Sequence, residues 1–268
     1  MSHKIPFREH GQGPILILLH GYGGSVMQWD GVVERLRDSY RVVVPNLSHL
    51  YMSQNRLLFP MIIEHVGNFI EANFPGERVS VAGMSFGGMV AWGLALQRPA
   101  LVDRLVLLNP LVPHPVNHFR RPELRYFFVL PMSVKSVLRT FETPIGEAFL
   151  KTAVEIFRPD REMAGPLARL KGRKLAFVAD LVAHFAWILR SEDWKFWEKR
   201  LEQNQASTLM IWSQDDPLFT EDSYRDFAML SRAGQALTWA AGGHILSRSK
   251  PDEVAIAISE FLRLSKAA

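Results

Sequence analysis

The chain has 268 residues, of which 48% are hydrophobic and 22% charged. That is ordinary globular usage; it excludes a disordered polymer and allows a sizeable core. It has no cysteine, which removes disulfides, thiolate metal sites and a cysteine nucleophile. The net charge of +4 is a mild basic excess, not the footprint of a dedicated nucleic-acid binder.

Met1 to Gly13 is polar and mixed in charge, without the layout of a signal peptide. No apolar run approaches the ~18 residues of a membrane span, so the expectation is a soluble cytoplasmic protein. Lys4–Phe7, ahead of Gly11-Gln12-Gly13, suggests an extra edge strand in a hairpin. Five short apolar runs follow: Pro14–Leu19, Arg41–Val44, Val79–Ala82, Leu105–Leu108 and Leu209–Trp212. Runs apolar on both faces suit buried parallel strands. Helical spacing separates them, at Trp29, Val32, Val33 and Leu36, then at Ile62, Val66, Phe69 and Ile70, then over Val90–Leu96. A last helix opens at Pro251 with Asp252 and Glu253 in its first turn and presents Val254, Ile258, Phe261 and Leu262. Strand alternating with helix predicts an α/β protein with an open, mostly parallel sheet.

Residues 113–205 stand apart, with 16 basic against 11 acidic residues, a net of +5 that exceeds the whole chain's charge. They hold Trp187, Trp194 and Trp197 and many phenylalanines, among them Phe127, Phe128, Phe141, Phe149, Phe157, Phe177 and Phe185. No Gly/Ser-rich linker flanks them, so they are expected to form an insertion, with 1–112 and 206–268 making one core. Leu181, His184, Phe185, Ile188 and Leu189 have helical spacing within it.

Val79–Gly88 reads V-S-V-A-G-M-S-F-G-G. A buried strand runs into Gly83-Met84-Ser85-Phe86-Gly87 and a helix follows. This G-x-S-x-G turn raises the serine above the strand end on a strained backbone, at a helix N-terminus that favours a developing oxyanion. A serine hydroxyl is a weak nucleophile and needs a neighbouring base, which in turn needs a carboxylate to hold its tautomer.

These residues resemble the α/β-hydrolase superfamily, and four stretches carry the likeness. His20-Gly21-Tyr22-Gly23-Gly24 looks like the oxyanion loop, Gly83–Gly88 the nucleophile elbow, Trp212–Pro217 the acid loop, and Gly243-His244 the histidine loop. The order Ser, Asp, His is the family's. The resemblance implies a cofactor-independent serine hydrolase, esterase- or lipase-like, with residues 113–205 as a helical cap. It implies Ser85 as nucleophile, His244 as base, and backbone N–H groups of Tyr22 and Phe86 as oxyanion donors. Asp215 and Asp216 are adjacent and only one can point inward; the family spacing lands on Asp216, leaving Asp215 to solvent or to capping the loop. His20 is usually structural in the family, whereas position alone does not exclude His49.

Two departures stand out. After Arg41–Val44 many relatives carry an aspartate and then G-x-G-x-S, but here the chain reads Pro45-Asn46-Leu47-Ser48-His49-Leu50-Tyr51-Met52-Ser53. Bulky His49 and Tyr51 would narrow the pocket, contact substrate, or simply pack, the last being favoured slightly. Ser213 also stands where the acid loop usually has glycine. A serine at the elbow argues against the dehalogenases and epoxide hydrolases of the family, which use aspartate. What remains is acyl chemistry on a small-molecule substrate. Ester cleavage through an acyl-enzyme leads; carbon–carbon hydrolysis, thioester cleavage, acyl transfer and a non-catalytic ligand-binding member are the alternatives. No H-E-x-x-H metal motif or phosphate loop is present. The basic excess of 113–205 fits anionic substrates, a membrane surface or a solvated face equally.

Overall fold

Five apolar runs become the middle of the sheet. The computed structural model describes residues 5–52, 57–129, 143–144 and 173–263. Its strands are β1 (Phe7–His10), β2 (Ile15–Leu19), β3 (Arg41–Pro45), β4 (Val79–Met84), β5 (Val102–Leu108), β6 (Ser207–Ser213) and β7 (Gln235–Trp239). They form a 7-stranded sheet in the order β1-β3-β2-β4-β5-β6-β7, parallel except for β1.

The two-residue period of a strand divides its side chains between two cores. Ile17, Leu19, Val43, Val81, Leu105, Leu107 and Met210 face one layer, with helices α3 (Phe59–Asn73) and α4 (Phe86–Gln97). Leu16, Leu18, Val42, Val44, Val106, Leu108, Leu209 and Ile211 face the other, with α1 (Asp30–Leu36) and the terminal helix Pro251–Arg263. Helices on both faces explain why these strands read as continuous apolar runs.

The edges differ from expectation. The N-terminal strand is Phe7–His10, and it pairs antiparallel with β3, Phe7 opposite Pro45, rather than in a hairpin with β2. β2 is already flanked by β3 and β4, so the chain before Gly11 docks on the open side of β3. β7 carries no apolar run because its residues are mostly exposed, and it extends the opposite edge beside β6.

The chain leaves the sheet after β5 and returns at β6. Between them lie helices at Pro115–His118, Pro122–Val129, Arg173–Ser191 and Trp194–Glu198. Trp197 is fully buried against Phe59 and Trp92 of the core, with ring centroids 5.1 and 5.9 Å away. Phe141, Phe149, Phe157 and the side chains of Phe127 and Phe177 lie outside the described residues. Among the described residues, no helix is long and apolar enough to cross a membrane.

Candidate active site

Ser85 closes β4 and caps α4 with φ 53° and ψ −120°, a left-handed conformation rare for serine. The turn is this tight because glycine stands on either side: a Cβ at Gly83 would overlap the Gly87 carbonyl, and one at Gly87 would overlap the Leu19 and His20 carbonyls. The serine backbone is tied to neighbouring strand ends, its N–H to Leu108 O at 3.0 Å and its carbonyl to Leu111 N–H at 2.9 Å. Its hydroxyl is half-buried at the C-terminal edge of the sheet, where open α/β sheets bind ligands.

The structure brings Ser85, His244 and Asp216 into one hydrogen-bonded line. His244 Nε2 lies 2.8 Å from Ser85 Oγ, and His244 Nδ1 lies 2.7 Å from Asp216 Oδ2. Asp216 is fully buried. Burial opposes its charge, but His244, the Tyr224 hydroxyl and the Leu218 N–H outweigh that and hold its carboxyl below the ordinary range. A charged Asp216 accepts a hydrogen bond from His244 Nδ1–H, which leaves Nε2 as the acceptor for the serine hydroxyl.

Tyr224 is a member that sequence reasoning missed. Its hydroxyl donates to Asp216 Oδ2 at 2.5 Å, and burial, then the nearby carboxylate, push its ionisation well above the phenol range. No motif marks it; it reaches Asp216 only because helix Glu221–Leu230 packs behind the acid loop.

Asn109 was also missed as part of the site. It follows β5 with φ 36° and is fully buried. Its Nδ2 donates to Gly243 O at 2.8 Å and His244 O at 2.9 Å, and its Oδ1 accepts Ser213 N–H at 2.9 Å. Ser213 Oγ donates to Gly243 O at 2.5 Å, giving the departure from glycine a local use. Asp215 caps the loop before His244: its Oδ1 accepts the Gly242 and Gly243 N–H groups at 2.9 and 2.8 Å. A buried polar residue directly after a strand was the only available signal for Asn109.

The loop His20–Gly24 lies beside the elbow, and a Cβ on Gly21 would meet Ser85 Cβ at 3.4 Å. Phe86 opens α4, where N–H groups have no helical acceptor. His20 is buried and neutral. Desolvation lowers its pKa to about 4, against the opposing hydrogen bond to Gly21 O, while Nε2 accepts Leu47 N–H at 3.0 Å. His49 is half-buried in the short helix α2 (Ser48–Met52). Tyr51 is buried and does more than pack: its hydroxyl accepts the Gly23 N–H of the loop at 2.9 Å.

A path of ring contacts joins Tyr22 to His244. Tyr22 stacks on Phe185 at 4.6 Å, and the path continues through Phe128, Phe119 and Phe219 to His244, with steps of 5.8, 5.3, 5.4 and 6.2 Å. Among the described residues, no group of three or more His, Asp or Glu side chains has the spacing of a metal site.

A protein of Mycobacterium tuberculosis is 35% identical to this chain over 110 residues, 40% of this chain and 32% of that one. The pimeloyl-[acyl-carrier protein] methyl ester esterase of Vibrio vulnificus is 31% identical over 175 residues, 63% of this chain and 61% of the esterase. The matched stretch thus spans about a third of the first relative and less than two thirds of the second. A thermophilic esterase from Thermogutta terrifontis superposes with a TM-score of 0.72 at 19% identity, covering 97% of this chain and 93% of that one, a likeness of fold. The family model described as the alpha/beta hydrolase fold matches residues 14–251. With that match across strand, elbow and histidine loop alike, the chain belongs to the alpha/beta hydrolase family.

Proposed function

We propose that the chain is a serine hydrolase that cleaves a carboxylic ester through an acyl-enzyme, with Ser85 as nucleophile, His244 as base and Asp216 as its orienting acid. The observation that carries this reading is the unbroken line from Ser85 Oγ through His244 to buried Asp216 at 2.8 and 2.7 Å. Similarity to the Vibrio methyl ester esterase supports an ester as the substrate class.

Ser85 Oγ attacks the ester carbonyl carbon as its proton passes to His244 Nε2. The Tyr22 and Phe86 N–H groups stabilise the carbonyl oxygen as it becomes an alkoxide. The tetrahedral species collapses, the ester C–O bond breaks, and His244 returns its proton to the leaving alcohol. A water molecule then gives a proton to His244 and attacks the acyl carbon. Collapse releases the carboxylic acid, and Ser85 recovers its proton. Asp216 stays ionised throughout and stabilises the imidazolium.

Residues 113–205 act as the cap in this reading, with Phe185 and Trp187, both only partly buried, offering apolar surface to the acyl chain. The substrate is a small acyl ester met in the cytoplasm. The test is an ester panel with a thioester and a vinylogous diketone included, run on wild type and Ser85→Ala, together with a fluorophosphonate probe. Labelling at Ser85 and a loss on the order of 10⁴–10⁶ in kcat on its removal are expected. An unlabelled Ser85, or a clean Ser85→Ala enzyme retaining a tenth of its activity, would overturn the assignment.

A further inference from the structure

The segment after β3, where the sequence departs from the family pattern, touches the loop His20–Gly24 through two short contacts joined by a third within the segment. Gly23 N–H points at the Tyr51 hydroxyl, 2.9 Å away. The Tyr51 hydroxyl lies 2.8 Å from Ser48 Oγ, and Ser48 Oγ lies 2.7 Å from Gly24 O.

One arrangement of protons serves all three. The Gly24 carbonyl only accepts, so Ser48 donates to it. Ser48 then has only lone pairs left, so Tyr51 donates to Ser48, and the Tyr51 oxygen accepts the Gly23 N–H. The chain runs one way, from Gly23 N–H through two hydroxyls to Gly24 C=O, and each bond polarises the next. Burial keeps the phenol protonated, pushing its pKa up to about 12.

The loop needs such a brace. Gly23 has φ 69° and a Cβ placed there would meet nothing within 4 Å, so neither side-chain packing nor restricted torsions would hold this backbone. Tyr22 is gripped from both faces as well: its ring stacks on Tyr51 at 4.5 Å and on Phe185 at 4.6 Å. Its hydroxyl reaches Leu181 O at 3.1 Å and His184 Nδ1 at 2.8 Å on helix Arg173–Ser191.

We propose that Tyr51 and Ser48 are positioning residues whose hydroxyl chain clamps the Gly23–Gly24 backbone and thereby holds the preceding Tyr22 N–H toward the oxygen of the substrate bound at Ser85. This rests on the reading of Tyr22 as an oxyanion donor. Neither hydroxyl touches the reacting atoms; the clamp fixes the torsions that follow Tyr22, and the stacked rings fix its side chain.

The test uses Tyr51→Phe, Ser48→Ala and the double variant on p-nitrophenyl butyrate. Misplacing an oxyanion donor lowers kcat by about ten- to hundredfold, while KM stays within about twofold because the ester itself does not use the clamp. Inhibition by an alkyl boronic acid, which mimics the tetrahedral species, should weaken in proportion to kcat/KM, and butyrate inhibition should not change. The double variant should lose no more than the worse single one, since the two hydroxyls form one chain. Amide exchange at Gly23 should speed up in every variant, and this readout is independent of turnover. If wild type cleaves no ester yet Gly23 is deprotected by Tyr51→Phe, the functional reading fails and the clamp stands. Should Tyr51→Phe not fold, Ser48→Ala decides alone, since it leaves the tyrosine stack in place. A kcat/KM within about twofold of wild type in the folded variants, a loss confined to KM, or unchanged Gly23 exchange would each overturn the clamp.

Discussion

At Asp216 four donors converge on two carboxylate oxygens: His244, Tyr224, Leu218 N–H at 2.7 Å and Phe219 N–H at 3.4 Å. Asp216→Asn keeps the size but offers an amide that reverses the histidine tautomer, and kcat should fall on the order of 10⁴. Asp215→Asn should change it within a few-fold, because an amide oxygen still accepts Gly242 and Gly243 N–H. Steady-state kinetics on the two variants check this, and the reverse ranking would exchange their roles. His20 supplies a pH dependence of stability. Its folded pKa of about 4 lies below the ordinary 6.5, so the unfolded chain binds the proton more readily between those values. The stabilisation, about 3 kcal/mol, is complete above the unfolded value and is lost as pH falls from there toward 4. Melting temperatures over that range should drop more steeply in wild type than in His20→Gln. Equal slopes would remove His20 as the cause.

Asn109 ties the ends of β5 and β6 to the histidine loop, so the position of His244 belongs to a joint between elements. Asn109→Asp turns the two donated bonds into oxygen facing oxygen. A drop of about a hundredfold in kcat, with slower fluorophosphonate labelling of Ser85, is expected. Labelling at the wild-type rate would show that the loop holds itself. The same scale explains what the sequence disclosed. β2 to β6 were legible because both faces of each are buried, which writes an unbroken apolar run. The elbow was legible because strand, glycines and helix occur in succession. β7 was hidden because its side chains are exposed, and β1 was displaced because a strand's partner depends on which edge remains open. Ser85, Asp216 and His244 could be located through loop motifs, whereas Tyr224 and the Tyr51–Ser48 contacts arise only from packing between segments remote in sequence. The interior phenylalanines of 113–205 could not be sorted into wall and core, since both uses have the same helical spacing.

For the molecule as a whole, the inserted segment and the core share one interior. Trp197 sits at 0% exposure between Phe59 and Trp92. Trp197→Ala should cost about 3–5 kcal/mol, read by denaturant unfolding. A loss below about 1 kcal/mol would mean that the insertion does not depend on this anchor. In the proposed function, partly buried Phe185, stacked on Tyr22, is the apolar surface that an acyl chain would meet. Each added methylene buried against it contributes about 0.8 kcal/mol, so kcat/KM should rise from acetyl to butanoyl or hexanoyl esters. A steady fall across that series would sink the apolar surface while leaving Ser85, His244 and Asp216 untouched.

The bond between Ser85 and His244 joins residues 159 positions apart, and Asn109 meets Ser213 across 104. Closing loops of that size is slow, and local contacts form before them. The chemistry therefore belongs to the last stage of folding: β2, β3 and β4 can pair while the β5–β6 joint is still open. In refolding from denaturant, pairing of β2, β3 and β4, read by amide-exchange protection, should come early and the capacity to acylate Ser85 late. A fluorophosphonate pulse would then time the arrival of the native state.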